Sequence, residues 1–315
     1  MARLAIEAQE VTKTFAGGVV AVHQLDLAVE AGAVYGLIGR NGVGKTTTLR
    51  LLMGLLRPTR GSTRVLGADL HTASRAVRSR VAYVSQTQHL PGELSLQQHA
   101  RCFAHLYPCW DDAHARALAR NWELSWTEPL GRLSAGKQRL AAILLAFASR
   151  PEILLLDEPA AGLDPLARRG LVNAVVDAVS RNGGCTVLFS THILSDLERV
   201  AEHLGIMDRG RVLLSTRLED LLNTTKRVQV IFEGESAPAG YSVPNALHQR
   251  VSGPVVTAVV RLAPNQSLES MRTVPGARVN VFHMGLEDIL LHLLEAERPS
   301  ATASVEETDA MQITE

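Results

Sequence analysis

The first 38 residues alternate short β-prone stretches with turn residues. The stretches read LAIEAQEV, VVAVHQLDLAV and VYGLIG, and Gly17, Gly18 and Gly32 lie between them, which predicts a strand-rich opening. After Gly44 the pattern changes to KTTTLRLLMGLL, whose leucines recur at helical spacing until Pro58 forbids continuation. The chain therefore opens with strands, then a glycine-rich turn and a helix.

A helical insertion and an alternation of strands and helices follow. Between Leu96 and Trp126 apolar residues recur three or four apart, and a second helical pattern begins after Asp111. From Ser134 the pattern alternates helix with strand, and the predicted strands read EILLLD, CTVLFS and LGIMD. Such alternation is typical of a parallel sheet covered on both faces, so we expect an α/β fold.

A smaller unit follows the alternating region. Period-two stretches, RVQVIF, VVTAVVRL and ARVNVF, precede an apolar helical pattern, GLEDILLHLLEA, and a loop-like GESAPAGYSVPN lies among them. We predict a main domain over residues 1–222 with the helical insertion at about 94–150, a small α+β domain over 223–296, and a disordered tail over 297–315.

Composition excludes several classes of protein. The 32 basic and 32 acidic residues cancel, so no global field favours nucleic acid or an anionic membrane surface. The longest apolar run, AAILLAFA, is too short for a membrane helix, and the N-terminus lacks a signal-peptide core. Cys102, Cys109 and Cys185 are expected to be buried, reduced thiols. These features predict a cytoplasmic protein whose membrane association comes through a partner.

The stretch GRNGVGKTT, residues 39 to 47, matches the phosphate-binding loop pattern between a predicted strand and a predicted helix. Its glycines let backbone N–H groups surround phosphate oxygens, and the helix N-terminus adds a partial positive charge. Lys45 is predicted to reach the β- and γ-phosphates, and Thr46 to ligate Mg²⁺. The nucleotide contacts predicted here are Gly39, Asn41, Gly42, Gly44, Lys45, Thr46 and Thr47.

The stretch EILLLDEP supplies a buried strand that ends in two acids. Asp157 is placed to hold the metal and Glu158 to polarise an attacking water. A GTPase or a small-molecule kinase would share these two elements. Against that alternative, VAYVSQ ends a predicted strand with Gln86, TVLFSTH ends another with His192, and the guanine-reading motif Asn-Lys-x-Asp is absent from the sequence.

The order of GRNGVGKTT, VSQ, LSAGK, LLLDEP, AGLD and STH resembles the ATP-binding subunit of ABC transporters over residues 3–222. The resemblance implies a P-loop NTPase fold: a mixed sheet with an antiparallel β subdomain and a helical subdomain. It implies that Phe15 stacks on adenine and that His192 contacts the γ-phosphate. It also implies that Gln86 links metal and water to the membrane partner and that Asp164 crosses a dimer interface.

The stretch LSAGK, residues 133 to 137, is the signature turn of that resemblance, which implies contact with ATP held by the opposite subunit. Ser134 is expected to cap a helix running from Lys137 onward and to donate to the γ-phosphate, and Gly136 to allow close backbone approach. The sequence departs from the family at Ala135, Lys137, Leu140 and Ala161. These departures leave room for a heterodimer with one weaker site.

The resemblance implies a subunit that hydrolyses MgATP within a homo- or heterodimer and drives separate polytopic membrane subunits. The insertion and the C-terminal region favour an exporter, with an importer as the neighbouring alternative. A soluble ABC-type ATPase acting on ribosomes or DNA is the second class, but such proteins usually carry two fused ATPase units or a long coiled coil. A non-catalytic regulatory module is disfavoured because Lys45, Asp157, Glu158 and His192 are all present.

Overall fold

The computed structural model describes residues 3–87, 90–181, 184–194, 198–262 and 274–296. The chain forms two compact units, Met1–Leu218 and Glu219–Glu315. The segment predicted as a disordered tail, 297–315, lies outside the described residues. Each unit has its own sheet structure and its own core.

The elements of the first unit alternate as the sequence pattern predicts. They are, in chain order, β1 (Leu4–Thr14), β2 (Val20–Glu30), β3 (Val34–Ile38), α1 (Lys45–Leu52), β4 (Arg60–Val65), α2 (Arg75–Arg78), β5 (Val81–Val84), α3 (Leu96–Leu106), α4 (Asp112–Asn121), a single 3₁₀ turn (Leu130–Arg132), α5 (Ala135–Ala148), β6 (Ile153–Asp157), α6 (Pro165–Ser180), β7 (Thr186–Thr191), β8 (His203–Asp208) and β9 (Arg211–Arg217).

Two sheets organise this unit. An antiparallel sheet has the order β2-β1-β4, and a larger sheet has the order β5-β6-β7-β3-β8-β9. In the larger sheet the neighbours β5, β6, β7, β3 and β8 are all parallel to one another, and β9 is antiparallel to β8. Strands β3, β6 and β7 are buried at every residue, which explains their unbroken apolar sequences. The mixed α/β fold class predicted from the sequence is confirmed.

The strand order decides where the predicted motifs meet. Strand β7 lies between β6 and β3, so three parallel strands that are distant in sequence have adjacent carboxyl ends. The loops after these three strands begin at Gly39, Glu158 and His192. Ligands in open α/β sheets bind at the carboxyl edge of the strands, so this edge is the place to look for a site.

Helix α5 runs through the interior, and its residues from Leu140 to Ala148 are all buried. Within this stretch, Leu144 and Phe147 are both at most 1% exposed. The range of about 94–150 that the sequence predicts as a helical insertion contains α3, α4 and α5. Ser95 starts α3 with a capping box, because its side chain accepts from the Gln98 N–H while the Gln98 side chain accepts from the Ser95 N–H.

The second unit contains a four-stranded antiparallel sheet of order β11-β12-β10-β13. Its elements are α7 (Leu218–Thr224), β10 (Thr225–Phe232), β11 (Ala246–Ser252), β12 (Val255–Arg261), β13 (Ala277–His283) and α8 (Leu286–Ala296). Alternate residues of β10 and β12, including Val228, Val230, Val256 and Val260, form its core. In the part of the chain that the structure describes, no helix is long and apolar enough to cross a membrane.

The cysteines differ from the expectation that all three are buried. Cys185 is buried, and burial raises the pKa of its thiol to about 12. Cys102 and Cys109 are exposed, the first in α3 and the second just beyond it. The prediction was wrong for these two because free cysteine is buried only on average, and helical periodicity does not say which face a small residue takes.

Candidate nucleotide site

The phosphate-binding loop joins β3 to α1 at the carboxyl edge of the large sheet. Gly44, which precedes α1, has a φ of 111°, and an added Cβ there would collide with the carbonyl oxygen of Ala21. Gly39 is equally confined, since a Cβ would collide with the Met207 carbonyl oxygen. Only glycine fits these two positions, so the loop can bend tightly and present backbone N–H groups.

Lys45 opens α1 and is almost completely enclosed, with 5% of its surface exposed. Its ammonium Nζ donates to the Gly39 carbonyl oxygen at 2.6 Å and to that of Arg40 at 3.2 Å. The same Nζ lies 3.1 Å from Oε1 of Glu158 in a buried ion pair that lacks hydrogen-bond alignment. A buried ammonium needs such partners, and each of these can be exchanged for a phosphate oxygen.

Asp157 ends β6 and is fully buried. Its Oδ1 accepts from the Thr46 hydroxyl at 3.1 Å and from the Ser190 hydroxyl at 2.7 Å, while the Tyr83 hydroxyl donates to Oδ2 at 3.5 Å. Burial is the main reason that the pKa of Tyr83 is raised, and the charge of Asp157 adds to the effect. Ser190 was not predicted from the sequence, although a hydroxyl inside a wholly buried strand indicates a polar partner.

The oxygens of Thr46 and Asp157 fit a hard divalent cation such as Mg²⁺. The described residues contain no group of three or more His, Cys, Asp or Glu side chains that could enclose a metal. The pairing of one carboxylate, Asp157, with the Thr46 hydroxyl suits Mg²⁺, which is usually bound through one or two carboxylates together with substrate phosphates and water.

Glu158 adopts a left-handed backbone conformation, with a φ of 48°. Its N–H lies 3.1 Å from both the main-chain oxygen and the hydroxyl of Ser190. Its Oε2 accepts from the His192 N–H at 3.3 Å and lies 2.8 Å from Nδ1 of the His192 ring. A non-glycine residue in this conformation is uncommon, and such strain often marks functional sites. Lys45 and His192 thus hold the two oxygens of one buried carboxylate.

Other predicted contacts lie outside this cluster. Phe15 follows β1, is 40% exposed, and has the Lys13 ammonium 5.3 Å from its ring centroid. Gln86 was predicted at the end of a strand, but β5 ends at Val84 and Gln86 lies exposed two residues further on. The phosphate-loop residues Asn41, Gly42 and Thr47 stand beside Lys45 in the chain. An exposed aromatic ring remains free to stack on a base.

The signature turn forms the N-terminus of α5. Ser134 is the N-cap, and its hydroxyl accepts from the Lys137 N–H at 3.3 Å, as predicted. The helix begins at Ala135 and not at Lys137, because that cap places the two intervening residues in the first turn. A Cβ on Gly136 would lie 3.4 Å from the Gly162 carbonyl oxygen, an ordinary contact, so packing within this subunit does not demand glycine.

Asp164 has a local role that the sequence analysis did not state. Its carboxylate caps α6 by accepting from the Ala167 N–H at 2.9 Å, and Pro165 occupies the first helical position. A group that caps its own helix still has one carboxylate oxygen for another contact.

Comparison with known proteins decides the family. Residues 22–161 match the family model described as ABC transporter. The Nod factor export ATP-binding protein I of Cupriavidus pinatubonensis is 30% identical over 300 residues, which are 93% of this chain and 91% of that protein. The chain belongs to the ABC transporter family.

Two further relatives differ in what their names describe. The probable multidrug ABC transporter ATP-binding protein YbhF of Escherichia coli is 34% identical over 69% of this chain. This chain spans only 38% of the length of YbhF. The phosphonates import ATP-binding protein PhnC 2 of Trichodesmium erythraeum is 31% identical over 73% of this chain and 94% of its own length.

Solved structures agree on the fold. An ATP-binding subunit of an ABC transporter superposes with a TM-score of 0.63 at 29% identity, covering 70% of this ABC chain and 92% of its own. A dimeric ATP-binding cassette in a post-hydrolysis state with ADP and Pi gives a TM-score of 0.61 at 22% identity, covering 68% and 98%. The second likeness establishes the fold alone.

Proposed function

We propose that this chain binds MgATP at the cluster of Lys45, Thr46, Asp157, Glu158 and His192, and hydrolyses it to drive separate polytopic membrane subunits. The observation that carries the proposal is the convergence of three loops at the carboxyl edge of β3, β6 and β7. There a buried cation, a buried carboxylate paired with a half-buried hydroxyl, and a second buried carboxylate meet. Positioning and electrostatic stabilisation are what phosphoryl transfer requires of a protein.

Each side chain has a distinct proposed task. The Lys45 ammonium transfers from the Gly39 and Arg40 carbonyl oxygens to the β- and γ-phosphates, while loop N–H groups and the N-terminus of α1 bind the remaining oxygens. The Thr46 hydroxyl and the Asp157 carboxylate hold Mg²⁺, with Gln86 reaching the same region from beyond β5. A bound Mg²⁺ supplies neutralisation of phosphate charge.

Glu158 is the proposed general base. When Lys45 moves to phosphate, the Glu158 carboxylate loses one of its two restraints and is free to accept a proton from a water molecule. His192 keeps the second restraint through Nδ1, and its ring, whose side chain is 46% exposed, is then close to the γ-phosphate. Loss of the ion pair with Lys45 thereby couples ATP binding to release of the base.

A second ATP-binding subunit completes the site in this proposal. Ser134 and Gly136 form the first turn of α5 and offer its positive end to the γ-phosphate of the opposite subunit. Asp164 contributes from the N-terminus of α6. Phe15 stacks on the adenine of its own subunit's ATP. The dimeric cassette of the same fold supports this arrangement.

Export is the proposed direction of transport. The alignment with a Nod factor export protein covers 93% of this chain and must include most of the second unit, whereas the alignment with the importer PhnC 2 covers 73%. The chain would then act at the cytoplasmic face of the membrane through its membrane subunits. Its balanced charge supports a protein partner rather than nucleic acid.

The test combines hydrolysis with capture from membranes. The tagged chain is purified from detergent-solubilised membranes, and MgATP hydrolysis is compared for wild type, Lys45→Ala and Arg116→Ala, an exposed control on α4 that pairs with Asp112. We expect Lys45→Ala to abolish hydrolysis, the control to leave it unchanged, and a multispanning protein to co-purify. Full activity of Lys45→Ala would contradict the site, and recovery of the active chain with soluble partners alone would favour the non-transport alternative.

A further inference from the structure

One guanidinium behind the candidate site bonds to four main-chain oxygens. Arg139, in the second turn of α5, donates from Nε to Pro159 O at 3.0 Å and from Nη1 to Gln86 O at 2.7 Å. Its Nη2 donates to Asp157 O at 2.9 Å and to Glu158 O at 2.6 Å. Arg139 therefore joins the signature helix, the end of β6 and the segment after β5.

Three consecutive carbonyl groups, those of residues 157 to 159, point at this one side chain. Converging carbonyl dipoles repel one another unless a cation lies between them. Here the three carbonyl groups converge at the bend where Glu158 has a left-handed φ of 48°. A planar guanidinium can donate to several oxygens at once, which a single ammonium group matches only in part. Arg139 thus stabilises a main-chain bend that the chain would not otherwise favour.

We infer that Arg139 is a positioning residue that holds the Glu158 carboxylate in its reactive orientation and fixes it relative to the signature turn. This inference rests on the proposed role of Glu158 as the base. Arg139 does not touch the Glu158 carboxylate, which faces Lys45 and His192. It acts on the main chain of Glu158. A main-chain rotation at Glu158 would displace the carboxylate at the end of its side chain far enough to break the hydrogen bonds that orient it.

Arg139 also connects elements that the proposed function requires to move together. The Ser134 cap and Arg139 lie five residues apart on one rigid helix, and Gln86 is bonded through its main-chain oxygen to the same guanidinium. A shift of the signature turn on meeting the opposite subunit's ATP is thereby passed to Glu158 and to the Gln86 segment. In the sequence, Arg139 is the charged residue directly before the long buried stretch that starts at Leu140.

The activity test separates positioning from binding. Arg139→Met removes every donor, and Arg139→Lys keeps the charge but cannot reach all four oxygens. We expect kcat to fall about 10- to 100-fold in Arg139→Met and less in Arg139→Lys, with KM for ATP changed less than about threefold. Arg150→Gln is the matched control, because Arg150 lies just beyond the C-terminus of α5 and its guanidinium binds Asp111. The kcat of this variant should stay within about twofold of wild type.

A double-mutant cycle tests whether Arg139 acts through Glu158. In a Glu158→Gln background, Arg139→Met should reduce the residual rate by less than about twofold, because the group being positioned is already lost. Loss of rate by the same factor in both backgrounds would overturn the inference, as would a folded Arg139→Met with wild-type kcat. If Arg139→Met does not fold, the same comparison is made with Arg139→Lys.

Amide hydrogen exchange in the nucleotide-free chain gives a readout independent of hydrolysis. The Ala161 N–H donates to Glu158 O at 3.1 Å, the same oxygen that Arg139 binds. Peptides spanning 156–163 should therefore exchange faster in the Arg139 variants, and their exchange should be unchanged in Arg150→Gln. Unaltered exchange in the Arg139 variants refutes positioning even if the wild-type chain hydrolyses ATP. If the Arg139 variants exchange faster but the wild-type chain shows no ATP hydrolysis, the proposed function is refuted and the positioning role of Arg139 is not.

Discussion

Replacing Glu158 by Gln removes the proposed base while keeping the size of the side chain. The amide cannot take a proton from water, so turnover should fall at least about a hundredfold, which is about 2.7 kcal/mol of barrier. MgATP binding should remain, because Lys45, Thr46 and Asp157 are unchanged. The ATP-bound dimer should then accumulate, because we expect ATP to bring the two subunits together and hydrolysis to separate them.

The same substitution has a consequence for the nucleotide-free chain that follows from burial. The Lys45 and Glu158 side chains are 5% and 4% exposed, and breaking a buried ion pair costs about 3 to 5 kcal/mol. Lys45 keeps its hydrogen bonds to the Gly39 and Arg40 carbonyl oxygens, so we expect a smaller loss, about 1 to 2 kcal/mol. For a unit of this size that lowers Tm by about 2 to 8 °C.

The assay is phosphate release together with thermal unfolding, each with and without MgATP. The control is Glu152→Gln, which removes an exposed carboxylate paired with Arg80 just before the other end of β6 and should cost less than about 1 kcal/mol. MgATP should reduce the Tm difference between Glu158→Gln and wild type, because phosphate replaces the lost partner of Lys45. Near-normal hydrolysis by Glu158→Gln would place the base elsewhere, and an unchanged Tm without nucleotide would refute the ion-pair reasoning.

Three further predictions concern the adenine contact, the opposite subunit and the thiols. Phe15→Ala should weaken ATP binding by about 1 to 3 kcal/mol with little change of rate at saturating ATP, and an unchanged Kd would remove Phe15 from the site. A mixed dimer of Ser134→Arg and Lys45→Ala should hydrolyse ATP faster than either mutant homodimer, because one of its sites is intact if the signature turn acts on the opposite subunit. At pH 8 a thiol reagent should label the two exposed cysteines within minutes and Cys185 only on unfolding, because burial raises the pKa of the Cys185 thiol to about 12 and the thiolate is the reactive form. Rapid labelling of all three in the folded chain would contradict the burial.

Much of the fold could be predicted because its signals are local. The apolar runs of β6 and β7 identify strands buried on both faces. The phosphate-binding loop is identified by the spacing of its glycines before Lys45. The cap Ser134 directly precedes the helix that it starts. Each of these features depends on neighbours within a few residues, so sequence spacing is sufficient to find it.

The contacts inside the site depended on tertiary structure. Lys45, Glu158 and His192 meet only because β7 lies between β6 and β3, and periodicity does not specify strand order. The four oxygens that bind Arg139 come from segments up to 53 residues away, so their convergence is not visible in the helix pattern. Exposure of Cys102 was likewise decided by how the insertion packs.

The physical division is between short-range and long-range interactions. Backbone sterics, helix caps and hydrophobic periodicity act over one or two turns, and they determined the elements and the identity of the phosphate-binding loop. Partner choice for a buried charge is a competition among groups brought together by the whole fold, where desolvation makes every unpaired group costly. That competition pairs Lys45 with Glu158 and gives Arg139 its four carbonyl oxygens, and the tertiary structure alone settles it.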